Sequence, residues 1–286
     1  MIIEEAFAKI NLSLDVCGKR SDGYHEVKMV MQSVDLHDTL SLEALESGIE
    51  LLMNNAELSA EASGGKKNII VKAAETLFDY MDFKGGVKIT LDKRIPIAAG
   101  MAGGSTDAAA TLRGINRLFG FGLSNTELEA LAVKIGADVP FCVEGGTKLS
   151  EGIGEVLTTL PTPERTHIVI CKPNVNVSTK DVYEGFDLLD NPYHPPVDDM
   201  VEAIRESDFD KIPKLMGNSL EAVTKKLYPV IGEIEKFMMD NGAYMALMSG
   251  SGPTVFGLAD EDVCKNLCDK LSWKYPDYYV KGHYYG

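Results

Sequence analysis

The chain has 286 residues, 45% of them hydrophobic, which is enough for one large domain or two moderate ones with real cores. Its formal net charge of −15 argues against nucleic acid or an anionic membrane as a partner, because both need a basic patch. No apolar run is long enough for a transmembrane helix, and Met1-Ile-Ile-Glu-Glu lacks the basic start of a secretory signal, so a cytoplasmic chain is expected.

In chain order, residues 8–16 alternate. Ala8, Ile10, Leu12, Leu14 and Val16 point one way, and Lys9, Asn11, Ser13 and Asp15 the other, which predicts a strand with one wet or functional face. Gly18-Lys-Arg-Ser-Asp-Gly23 reads as a polar turn, followed by Tyr24-His25 and an extended run over 27–36. Residues 54–66 are small and polar and read as loop. Asn68 is placed to cap a helix over 69–81, apolar at Ile70, Ala74, Leu77, Phe78 and Met81. Residues 87–91 alternate like a half-exposed strand.

Further on, Ala108, Leu112, Ile115 and Phe119 form a helical stripe. Ser124-x-x-Glu127 is a capping box opening a second helix, lined by Leu128, Leu131 and Ile135 and stopped by Gly136. Asp138-Val-Pro140 is expected to enter an extended segment. The Thr- and Pro-rich stretch 158–166 reads as a junction between domains 1–158 and 159–286. Beyond it come a strand at 167–171, a polar loop, helices near 198–206, 208–216 and 229–240, and a strand at 244–248. The small-residue loop Ser249-Gly-Ser-Gly-Pro253 precedes a strand at 254–258, a helix near 261–271 and a closing strand near 278–284. The pattern is α+β in two halves.

Cysteines stand at 17, 142, 171, 264 and 268, an odd and widely spaced set that fits reduced thiols. Cys264 and Cys268 could share a helix face as metal ligands, but no His or second Cys pair supports that, and they read as core thiols.

The stretch from Pro96 through Ala110 carries the most chemistry. Small residues let the backbone pass close to a ligand, and the helix that follows presents unpaired N–H groups and the positive end of its dipole. That combination is a polyphosphate site. It is not a Walker A loop, since Ser105 and Thr106 rather than Lys follow Gly104. It is not a dinucleotide fingerprint either, since the spacing is Gly100-x-x-Gly103-Gly104.

Other candidates stay open between two readings. Lys9, beside Asn11, is either a solvated mid-strand lysine or the cation that a phosphate site requires in an acidic chain. Asp138 is either a turn-forming residue or a carboxylate that orients a substrate hydroxyl and takes its proton. Tyr24 and His25 are either surface residues or a stacking face with a donor and acceptor for a base edge. The loop carrying Gly250 and Gly252 is either a second anion-binding nest or a tight strand connection.

Three blocks in order resemble the motifs of the GHMP small-molecule kinases: Ala8-Lys9-Ile10-Asn11-Leu12, residues 96–110, and Ser249-Gly250-Ser251-Gly252-Pro253-Thr254. Arg20-Ser-Asp-Gly-Tyr-His25 and Gly136-Ala-Asp-Val-Pro-Phe141 resemble a branch whose acceptor is a cytidylated polyol of the non-mevalonate isoprenoid pathway. The resemblance runs from residue 6 to about 258.

The resemblance implies an N-terminal nucleotide-binding α+β domain and a C-terminal ferredoxin-like α+β domain. It implies ATP, with Mg²⁺, as phosphoryl donor to a tertiary hydroxyl, and a small substrate carrying a cytidine diphosphate. Asp138 matches the catalytic aspartate and Lys9 its lysine partner. Pro96, Ile97, Ala98, Ala99, Gly100, Met101, Ala102, Gly103, Gly104, Ser105, Thr106 and Asp107 match the nucleotide-phosphate loop, and Asn68 the contact to adenosine. Asn11, Tyr24, His25, Tyr183, Gly250 and Gly252 fall on the substrate side, with Tyr183 as a second aromatic on the base. Mevalonate- and homoserine-type kinases, and a nucleotide-binding module without catalysis, are the rival readings. One departure is Asp107, a negative charge beside a phosphate site, unfavourable unless it points away or holds Mg²⁺ through water.

Overall fold

A computed structural model describes residues 1–54 and 68–286; the loop expected at 54–66 lies, apart from Asn54, outside the described residues. Two compact units emerge. The first comprises Met1–Ala8, Leu36–Ile97 and Ala102–Gly145, and the second Lys9–Asp35, Ala98–Met101 and Gly146–Gly286.

In the first unit, the far part of β2 (His25–Leu45) pairs antiparallel with β4 (Gly86–Asp92), setting Leu42 opposite Ile89, and β3 (Gly48–Met53) runs parallel to β4. Leu40, Leu42, Ile89 and Leu91 are fully buried. Its described helices are α1 (Ile69–Tyr80), α2 (Gly103–Phe119), α3 (Asn125–Ala132) and α4 (Val139–Glu144). Asn68 does cap α1, its Oδ1 accepting from the Ile70 N–H at 2.8 Å, and Ile70, Ala73, Ala74, Leu77 and Phe78 form the buried stripe. Phe78, Phe83, Phe119 and Phe121 gather their rings at 4.5–5.9 Å between centroids, geometry that adds to their burial energy. The Ser124–Glu127 capping box is complete.

One expectation is corrected. Residues 139–144 form α4 rather than an extended segment. An apolar run this short carries no readable period, and Pro140 in the first turn is preorganised for a helix. Val139, Phe141, Cys142 and Val143 are all buried, so tertiary packing decided the state.

In the second unit, the start of β2 pairs with β5 (Thr147–Glu151), which forms a hairpin with β6 (Val156–Thr159). Ser13 and Leu14 of β1 (Ile2–Lys19) pair with β8 (Gly217–Asn218). The alternation of β1 is present, but its polar face is not wet: Lys9, Asn11 and Ser13 are 4%, 1% and 0% exposed. A separate antiparallel sheet takes the order β11 (Tyr279–Tyr285), β7 (Thr166–Lys172), β10 (Val255–Leu258), β9 (Met245–Met248). Numbered by appearance, that is 4-1-3-2, with helices α9 (Val230–Asp240) and α10 (Glu261–Lys274) packed against it, the ferredoxin-like arrangement.

The remaining described helices are α5 (Thr179–Phe186), α6 (Val197–Arg205), a 3-10 turn at Phe209–Lys211, α7 (Ile212–Leu215) and α8 (Glu221–Leu227). Where the sequence reads as polar loop, α5 stands. Only Val182 and Phe186 of it are buried, too few to show a period, and its start is set by Ser178, which accepts from the Asp181 N–H.

A polar cluster joins α8 to α9. The Lys225 ammonium bridges Glu221 and Glu235, and Glu221 accepts from the Met248 N–H at 3.0 Å. Burial and the neighbouring Glu221 charge push the Glu235 carboxyl up to about 9, because one ammonium cannot hold two buried carboxylates charged. Unfolded glutamate gives up its proton near 4.5, so the folded state binds an extra proton between those values and stability falls as pH rises through the window. Glu235→Gln removes that loss. The melting-temperature gain of the variant over the parent should grow from about pH 6 to about pH 9 in thermal unfolding; a gain that does not change with pH would show Glu235 ionised in the folded state.

Candidate active site

Three helix starts meet within the first unit. Ile69, the first residue of α1, has its Cγ2 3.5 Å from where a β-carbon on Gly104 would lie, and its Cδ1 3.9 Å from the same point on Gly136. Asn68, the opening of α2 and the turn before Asp138 therefore share one neighbourhood. Each helix start exposes N–H groups and a positive dipole end. The start of α2 has no side-chain cap: Ala102 stands at the N-cap in the left-handed region. Asp138 occupies the N-cap of α4 without using its carboxylate to cap that helix.

Two cations place Asp138. The Lys72 ammonium on α1 donates to the Lys134 and Ile135 carbonyls at 2.7 and 3.0 Å, pinning the turn that leads into Gly136. Arg113 on α2 donates to the Cys142 and Val143 carbonyls at 2.8 and 3.2 Å, and to Glu4 and the Glu5 carbonyl. Its charge sits at the negative end of α4, where a helix favours a cation. Asp138, at the opposite end of that one-and-a-half-turn helix, is positioned by it.

Beneath the start of α2 lies a buried ionic cluster. The Lys93 ammonium donates to Asp38 at 2.5 Å and to Asp107 at 2.7 Å. Asp38, fully buried, also accepts from the Arg94 and Ile95 N–H groups. A β-carbon on Gly103 would come within 3.0 Å of the Lys93 Nζ and of Ile95 Cγ2, so the backbone at Gly103 rests directly on this cluster. Asp107 thus points inward, away from any ligand. Burial, reinforced by the Asp38 charge, holds its carboxyl well above the usual carboxylate range, while Lys93 opposes the shift. Asp38 and Asp107 are both buried and both spent on the Lys93 ammonium, so neither carboxyl is turned outward. Thr106 is also turned inward, its hydroxyl on the Phe7 carbonyl at 2.7 Å, so Thr106 and Asp107 offer only backbone to a nucleotide.

In the second unit, the loop at 98–101 meets the small-residue loop after β9. Ala98 and Gly100 have positive φ, a conformation that shapes concave backbone and that a non-glycine residue adopts at a cost. Gly100 is irreplaceable on two counts: its φ is 70°, and a β-carbon would fall 2.4 Å from the Ser249 carbonyl oxygen. The Ser249 hydroxyl donates to the Gly100 carbonyl at 3.0 Å. A β-carbon on Gly250 would lie 3.2 Å from that same carbonyl oxygen, 3.6 Å from Asn11 Oδ1 and 3.7 Å from Lys9 Nζ. Lys9 donates to Asn11 at 2.8 Å. Lys9, Asn11, Gly100 and Gly250 are therefore brought together. Asn218 holds the loop by donating to the Met248 and Gly250 carbonyls, and Thr224 donates to Ser251.

His25 and Tyr183 also come together, their ring centroids 4.7 Å apart and tilted by 34°. His25 Nε2 meets Asp187 Oδ1 at 2.7 Å. Tyr24 does not join them; it is 60% exposed at the tip of its turn. Lys93, Asp38, Arg113, Asn218 and Asp187 are the working residues that sequence reading missed. Only Lys93 carries a signal, as a lysine three positions before Pro96. The others act on partners 29 or more residues away in sequence, and no local pattern marks them.

Among the described residues, no three His, Cys, Asp or Glu side chains converge to hold a metal ion, and the Asp107 carboxyl is spent inside.

The family model described as "GHMP kinases N terminal domain" matches residues 68–146, and "GHMP kinases C terminal" matches 200–277. A curated protein of Lachnospira eligens named 4-diphosphocytidyl-2-C-methyl-D-erythritol kinase is 48% identical over 268 residues, covering 93% of this chain and 92% of that one. Its namesake from Alkaliphilus oremlandii is 47% identical over 282 residues, covering 98% and 95%. A crystal structure of 4-(cytidine 5'-diphospho)-2C-methyl-D-erythritol kinase superposes with a TM-score of 0.83 at 32% identity, covering all of both chains. A homoserine kinase from Cytophaga hutchinsonii, TM-score 0.78 at 20% identity over 99% of this chain and 94% of that one, shares the fold.

The ionic cluster under Gly103 makes a prediction. Lys93→Met leaves the Asp38 charge buried without its ammonium, and should cost about 3–5 kcal/mol in denaturant unfolding. An unchanged midpoint would mean that the cluster does not brace the loop.

Proposed function

We propose, from the premise that this chain belongs to the GHMP kinase family, that it transfers the γ-phosphoryl group of ATP to the 2-hydroxyl of 4-diphosphocytidyl-2-C-methyl-D-erythritol. The chain is a small-molecule kinase. The observation that carries the finer reading is the convergence around Ile69 of the uncapped start of α2 and the turn before Asp138. An anion on the helix start and a carboxylate beside it are what a kinase needs for donor and acceptor.

In this reading the main chain from Gly100 to Ser105 binds the triphosphate, and Asn68 faces the adenosine. Mg²⁺, when bound with the nucleotide, draws charge from the transferring phosphoryl. Asp138 orients the acceptor hydroxyl and receives its proton. Lys9, held by Asn11, offsets the negative charge that builds during transfer. Gly250 and Gly252 let backbone approach the substrate phosphates. His25 and Tyr183 take the cytosine, and Tyr24 closes over it from the exposed turn. Binding energy from that remote base brings the acceptor hydroxyl to the nucleotide and is read chiefly in affinity. The two matched family models, ending at 146 and beginning at 200, support a domain boundary near 158. A cytoplasmic location accords with five free cysteines and with the absence, among the described residues, of a helix long and apolar enough to cross a membrane.

Labelled ATP offered with cytidylated methylerythritol, mevalonate and homoserine should label the cytidylated polyol alone; labelling of another acceptor instead would replace the substrate. Asp138→Asn should lower turnover by about two orders of magnitude or more with both ligands still bound in titration calorimetry. Unchanged turnover would take Asp138 out of the chemistry.

A further inference from the structure

His25 is in contact with the carboxylate of Asp187 as well as with the Tyr183 ring. Asp187 lies just past the end of α5, on whose last turns Tyr183 sits. It is gripped on both oxygens: Oδ1 meets His25 Nε2 at 2.7 Å, and Oδ2 accepts from Lys19. The Lys19 ammonium, and then His25, hold the Asp187 carboxyl below the usual carboxylate range. A carboxylate only accepts, so Nε2 must carry the hydrogen. In the neutral ring Nδ1 is then a lone pair. Second-sphere carboxylates fix imidazole tautomers in this way at metal centres, and the same logic applies to any ligand.

The side chain of His25 is 10% exposed and its face is covered by Tyr183. Turning the ring over in its own plane would put a carbon where Nε2 meets Asp187 and lose that bond. A ring fixed in position and tautomer reads the hydrogen-bonding edge of a base. A lone pair welcomes an amino group and repels a carbonyl oxygen. The 4-position of cytosine carries an amino group, and that of uracil carries a carbonyl.

We propose that Asp187 is a positioning residue for base selection: by taking the Nε2 hydrogen of His25, it presents Nδ1 as an acceptor and so favours a cytidylated over a uridylated acceptor substrate. The assignment rests on the function proposed above, since it presumes that His25 meets the pyrimidine. Asp187 itself touches no substrate. Its effect passes through the imidazole.

Asp187→Asn is the direct test. An amide can donate as well as accept, so the imidazole is released from its single tautomer. The ratio of kcat/KM for the cytidylated over the uridylated substrate should fall at least tenfold. The loss should lie in KM, with kcat for the cytidylated substrate kept within about twofold, since Asp187 is remote from the transferred phosphoryl. Nitrogen-15 shifts of the His25 ring should show Nε2–H in the parent and a mixture of tautomers in the variant, a signature that a purely structural role would not move. Lys19→Met, which leaves the His25–Asp187 contact in place, should retain the parent ratio. Asp187→Ala should follow Asp187→Asn.

A variant ratio equal to the parent's, or a His25 tautomer unaltered by Asp187→Asn, overturns the assignment. A parent enzyme that phosphorylates both substrates equally also overturns it, while leaving the kinase function standing. A parent that phosphorylates neither removes the function and this assignment together.

Discussion

A loop that binds phosphate through its main chain must be made of small residues, and such a loop has no side chains with which to hold its own shape. In the loop proposed to do this, the shape is held from outside. Beneath Gly103 the support is Lys93 between Asp38 and Asp107. At Gly100 it is the Ser249 hydroxyl on the carbonyl. Ala98 and Ala102 would not adopt a left-handed backbone unaided, and the surrounding bonds keep them there. A preformed cradle costs no reorganisation when charge moves across it, which is the form of assistance that phosphoryl transfer uses most.

The acidic composition of the chain is reconciled with phosphate chemistry by the same cluster. A net charge of −15 would repel a nucleotide if it were expressed at the loop. Asp107, the carboxyl nearest in sequence to the glycines, is buried on the Lys93 ammonium, and burial raises its hold on a proton. Glu4, also buried, is neutralised by Arg113 and Arg117. Arg113 joins the two requirements, since the guanidinium that pairs with Glu4 also holds the end of α4 opposite Asp138.

The third small-residue block illustrates how an ambiguous pattern acquires a role. Ser249 to Gly252 could have been a mere strand connection. Its placement beside Lys9, Asn11 and Gly100, and its fastening by Asn218 and Thr224, make it a built surface of backbone atoms. His25 follows a similar course. As a dipeptide partner of Tyr24 it says little, but seated against Tyr183 and bonded to Asp187 its ring has a defined orientation.

The sequence alone was sufficient for the α+β class, for most elements with a clear period or cap, and for the ordered motifs that mark the kinase family. Alternation in β1, the Asn68 cap and the Ser124–Glu127 box are local physics, settled within a few residues of chain. The helix α4 escaped because a short apolar run has no period, and α5 because only two of its residues are buried. Only tertiary structure decided which way Asp107 faces, that the polar side of β1 is covered, and which partners Lys93, Arg113 and Asp187 hold. Those outcomes depend on burial and on partners distant in sequence, and the cost of leaving a charge without its partner is set by the fold around it rather than by its neighbours along the chain.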